Sequence, residues 1–113
     1  LARTGTEAPE VYAGMADLAQ NTKDPVERAR LFNAFDGIRD ESLMLPLVNG
    51  LQDPNPVVRE AAADALGSFG DDQRIKEWLQ HVIQTDPDPR VKREAHQALE
   101  RNDRRERDRS RSR

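Results

Sequence analysis

The sequence predicts an all-α chain, an α-solenoid of about three stacked antiparallel helix pairs followed by a disordered basic C-terminal tail. Three observations predict it. A twelve-residue segment occurs three times, as DPVERARLFNAF at 24–35, NPVVREAAADAL at 55–66 and DPRVKREAHQAL at 88–99, at offsets of 31 and 33 residues with no internal gap. Apolar residues within and ahead of each copy recur at helical spacing. Alanine supplies 13 residues against 5 aromatics, a composition suited to helices that approach one another closely.

Taken in order, residues 1–8 read as a disordered leader. Residues 9–101 read as the repeat domain, divided at about 9–38, 39–70 and 71–101, and residues 102–113 as the tail. Each pair opens with an amphipathic helix: Val11, Met15, Leu18 and Ala19; then Leu43, Leu47, Val48 and Leu51; then Ile75, Leu79, Val82 and Ile83. Each second helix starts at an Asp-Pro or Asn-Pro step. Asp24, Asn55 and Asp88 accept from the free amides of a first turn, and proline at the next position lacks an amide that has no partner there anyway. Glu27 stands where it completes a capping box. The second-helix stripes are Val26, Leu31, Ala34 and Phe35; Val57, Val58, Ala61, Ala62, Ala65 and Leu66; and Val91, Ala95, Ala98 and Leu99. Asp36-Gly37 and the glycine-bearing run 67–71 break the chain between pairs.

Composition narrows the function classes. The chain has no cysteine, which excludes disulfide frameworks, thiolate zinc sites, iron–sulfur clusters and thiol nucleophiles. The longest apolar run, 43–48, contains Pro46 and is far too short to cross a bilayer, so the expected chain is soluble; its compartment is not fixed by the sequence, with the cytoplasm favoured. The bacterial periplasm, or the soluble portion of an anchored envelope protein, is the alternative. The chain starts at Leu1 rather than methionine, as a processed product or an excised domain would. Its net charge of −3 divides unevenly, with −7 over residues 1–100 and +4 over residues 101–113, where seven arginines stand.

The run LVNGLQDPNPVVREAAADALGSFGD at 47–71 resembles a HEAT repeat, of the short kind also seen in phycobilisome-lyase-like proteins. The third copy resembles it well. The first departs from it, with Glu27 in place of the valine before the arginine and Leu31 where alanine is usual. The resemblance covers roughly 10–101 and implies a non-enzymatic scaffold or adaptor that binds another protein through the concave face of its second helices. An accessory or chaperone subunit like the phycobilin lyase proteins is one alternative. Contact of the arginine-rich tail 101–113 with nucleic acid or another anionic surface is a second. No cofactor and no metal is expected, because no nucleophile–base pair, phosphate-cradling glycine loop or ligand cluster is present.

Arg28, Arg59 and Lys92 occupy equivalent positions, one turn into each second helix. The resemblance implies pairing with an aspartate of a turn, from among Asp24, Asp53, Asp86 and Asp88. The expected partner-binding surface is Arg28, Phe32, Asn33, Arg59, Asp64, Lys92, His96 and Gln97, read from repeat geometry. His81 and His96 stand alone as surface residues, and the lone Trp78 covers the edge of the core or serves as a partner anchor. Polar residues replace part of the packing stripe in the outer copies, Glu27 and Arg30 in the first and Arg90 and Glu94 in the third. This pattern reads as capping of both ends of the stack.

Overall fold

The computed structural model describes residues 9–70 and 72–111, apart from the side chains of 105–111. The expected leader at 1–8 lies outside the described residues. Six α-helices follow one another: α1 (Pro9–Asn21), α2 (Pro25–Ala34), α3 (Met44–Gly50), α4 (Pro56–Phe69), α5 (Gln73–Thr85) and α6 (Pro89–Arg111). A 3-10 turn, Glu41–Leu43, leads into α3.

The caps form where the Asx-Pro steps place them. Asp24 accepts from the Val26 amide at 3.1 Å, Asn55 from Val57 at 2.8 Å and Asp88 from Arg90 at 2.8 Å. Glu27 lies 3.6 Å from Arg30 instead of reaching back to complete a capping box. The break after the second pair comes later than the run 67–71 suggests. α4 continues through Gly67 to Phe69 and stops at Gly70, whose φ of 135° is open only to glycine without strain.

The second helices α2, α4 and α6 lie side by side, while α3 packs on α4 and α5 on α6. α1 meets the 3-10 turn that leads into α3, whereas α3 and α5 scarcely touch. The result is a slab whose shortest extent is 17 Å, the thickness of two helix layers. Its core runs along the seam between the layers, from Phe32 and Phe35 through Leu47, Val58 and Leu66 to Ile75, Leu79, Val91 and Ala98. Close approach depends on small residues. A methyl group at Gly67 would stand 2.5 Å from the Ala98 Cβ, and one at Gly50 2.5 Å from the Phe32 ring.

Two expected stripes are rotated in the structure. On α1 the buried residues are Ala16 and Ala19, whereas Val11 and Leu18, seven apart and so on one face, are 49% and 55% exposed. On α2 the core residues are Ala29 and Phe32, with Val26 and Ala34 exposed. Ala65 and Ala98, the counterparts of Ala34, are buried, Ala98 against Gly67 of the preceding second helix, and among the described residues no second helix precedes α2.

α6 runs to Arg111: the mixed charges of the tail prolong the last helix, as expected for a turn or two, and carry it across the boundary at 101/102 into the segment expected to be disordered. Asn102 is fully buried, and its side-chain amide donates to the Gly70 carbonyl at 2.7 Å. That bond anchors α6 to the C-terminal end of α4, and arginines interspersed with Asp103, Glu106 and Asp108 beyond it give opposite charges three or four residues apart, which favours helix.

Candidate functional site

The arginine positions build a ladder along the turns. Arg28 pairs with Asp53 and donates to the Ala19 carbonyl at 3.2 Å. Arg59 Nε lies 2.8 Å from Asp86, and its Nη1 donates to the carbonyls of Asp53 and Pro54 at 2.8 and 3.1 Å. Each arginine thus reaches the turn of the following pair, and each aspartate in turn accepts from an amide of its own turn, Asn55 for Asp53 and Asp88 for Asp86. The aspartate side chains are 8% and 5% exposed, so these forks hold neighbouring pairs in register. Lys92 ends the ladder, exposed and with no carboxylate partner among the described residues.

The expected binding row is therefore divided. Phe32 is 2% exposed and packs on Phe35 with ring centroids 6.0 Å apart, so it belongs to the core and is withdrawn from the surface. Its place on the packed side of α2, next to Gly50, is the cause. Arg28 and Arg59 are committed to the ladder. Asn33, Lys92, His96 and Gln97 are exposed, with His96 3.9 Å from Glu100. Asp64 is half-buried and bonds Arg101 at 2.9 Å.

Around Asp64 the structure assembles a cluster that the repeat alignment does not single out. Arg101 Nη2 reaches the Asp64 carboxylate and, at 3.7 Å, that of Glu94. Burial pushes the Glu94 carboxyl up to about 7, and a hydrogen bond and repulsion from Asp64 push the same way against the pull of Arg101. Glu94 aligns with Ala61 and Arg30, which is the only trace of this cluster in the sequence. At the other end of α5, the Arg74 guanidinium bonded to Asp72 holds that carboxyl below its ordinary value. The Arg90 amide, at a helix start, does the same for Asp88.

On the opposite side, the splay of the first helices leaves a groove of about 520 Å³ between α3 and α5, lined by Met44, Val48, Trp78 and His81 among others. Trp78 is half-buried against the core, and His81 meets its ring edge-on with centroids 6.1 Å apart. Sequence reasoning placed Trp78 at the edge of the core. It missed the groove, which depends on the spacing of α3 from α5.

Among the described residues, no group of three or more His, Cys, Asp or Glu is placed to hold a metal ion, and no helix is long and apolar enough to cross a membrane. A family model described as HEAT repeats matches residues 2–100. No curated protein and no solved structure matches the chain.

Proposed function

The chain belongs to the HEAT-repeat family, and from that premise we propose that it is a non-enzymatic scaffold that holds a protein partner against the face of its second helices. HEAT repeats generally mediate protein–protein interaction, and the face is the finer reading. One observation carries it. α2, α4 and α6 form a contiguous layer while α3 and α5 stand apart, and closer packing within one layer of a helical stack favours curvature toward it, which supports the outer face of the second helices as the concave one. Asn33, Asp64 and Gln97 form one row across that layer, and Lys92 and His96 stand beside it on α6.

A second reading places the partner in the groove between α3 and α5, where Trp78 lies over a recess that accepts an apolar side chain. Site-specific photo-crosslinking in the native host separates the two. A benzophenone side chain at position 33 or 97 is expected to capture one protein species that position 52 or 77 does not. Adducts confined to 52 and 77 would move the site to the groove.

A further inference from the structure

We propose that the seam between α4 and α6 is a proton-sensitive joint: Glu94 stays protonated against Asp64 across it at mildly acidic pH, and release of that proton to solvent loosens the hold of α6 on the stack. The argument begins with register. Position 94 corresponds to position 61, where the middle copy has a buried alanine. Glu94 is thus a carboxylate in a packing position, its side chain 18% exposed. It does not cap an outer end, as the polar substitutions of the third copy had implied.

The charges facing it do not balance. From α4 come Glu60 and Asp64, and Asp64 lies within hydrogen-bond reach of the Glu94 carboxyl. From α6 comes Arg101, already bonded to the Asp64 carboxylate at 2.9 Å and its carbonyl at 3.2 Å, which leaves Glu94 the longer contact of 3.7 Å. From α5, Lys76 pairs with Asp103 at 3.6 Å, nine residues further along α6 and so roughly 13 Å away. Arg101 therefore serves two carboxylates, with Glu60 a further negative charge acting on Glu94. One turn further along, Gly67 and Ala98 hold the helix backbones in close contact, which keeps the carboxylates of the two helices near each other. A proton on Glu94 turns its repulsion from Asp64 into a hydrogen bond, and loss of that proton restores the repulsion.

The sign follows from linkage. With its folded value about 7 against an ordinary 4.5, Glu94 keeps a proton that the unfolded chain has already released. Stability is therefore greatest below about 4.5 as far as this group is concerned, and it falls as pH rises toward and through 7.

The test uses the whole chain. Carboxyl-carbon NMR is expected to show Glu94 titrating near neutrality, and Asp64→Asn to bring that midpoint down. After correction for intrinsic exchange, amide protection over 94–102 is expected to fall about tenfold between pH 5.5 and pH 8, while α2 and α3 stay unchanged. Both Glu94→Gln and Glu94→Ala are expected to flatten the decline in melting temperature over that window, the alanine variant covering the case in which glutamine disturbs the fold. A Glu94 midpoint near the ordinary carboxylate value, or variants that melt in parallel with the parent at every pH, would overturn the proposal. Neither outcome bears on which face binds a partner.

Discussion

Arg59 joins three stretches of chain through one guanidinium, bonding both oxygens of Asp86 and the carbonyls of Asp53 and Pro54. Its side chain is 13% exposed, so truncation leaves the buried Asp86 carboxylate and two turn carbonyls without their donor. Arg59→Ala is expected to cost about 2–4 kcal/mol in urea denaturation, near the lower end of what breaking a buried pair costs. Lys92→Ala, at the matching position in the last copy, is expected to change stability by less than about 0.5 kcal/mol. The two residues look alike in the alignment. What separates them is that Lys92 has no following turn, among the described residues, to hold.

At the scale of the helix, glycine provides a paired test. A β-carbon at Gly67 collides with Ala98 and Arg101 from α6, whereas one at Gly14 in α1 meets nothing within 4 Å. Gly67→Ala is expected to destabilise by about 1–3 kcal/mol through overpacking. Gly14→Ala is expected to stabilise by about 0.5–1 kcal/mol, since alanine loses less backbone entropy on entering a helix. Thermal melts of the two variants check both signs. α6 supplies a second test: a chain ending at residue 104 keeps the buried Asn102 bond to Gly70, and one ending at 101 loses it. The shorter chain is expected to melt several degrees lower than the longer, and a coincident pair of melts would show that Asn102 contributes nothing.

Across the whole molecule the two end faces differ. Every exposed residue of α5 is polar, whereas α1 presents Val11 and Leu18 to solvent and α2 presents Val26. Glu27 and Arg30, exposed on α2, are placed as the capping pattern requires, but their counterpart Glu94 faces inward. The same repeat position faces solvent in the first copy and a neighbour in the third, so a polar residue there has opposite consequences. Leu18→Gln is accordingly expected to leave stability within about 0.5 kcal/mol. Leu79→Ala, fully buried in α5, is expected to cost about 2–5 kcal/mol. Equilibrium denaturation distinguishes the two.

The helix pairs, their caps and the pairing of arginines with turn aspartates were legible in the sequence because each rests on local spacing: an Asx-Pro step, apolar residues every three or four positions, an arginine one turn in. The surface row was legible only in part. Phe32 belongs to the core because α2 is rotated against its neighbours, and a periodic stripe does not state which of two adjacent faces is buried. The Asp64–Glu94–Arg101 cluster and the Trp78 groove come from residues 30 or more positions apart, brought together by how closely helices of one layer approach and how widely those of the other diverge. Local spacing determined which segments are helices and where they start. The choice of buried face, the length of α6 and the charges that meet across the α4–α6 seam were decided by tertiary packing, because each depends on what a neighbouring helix offers.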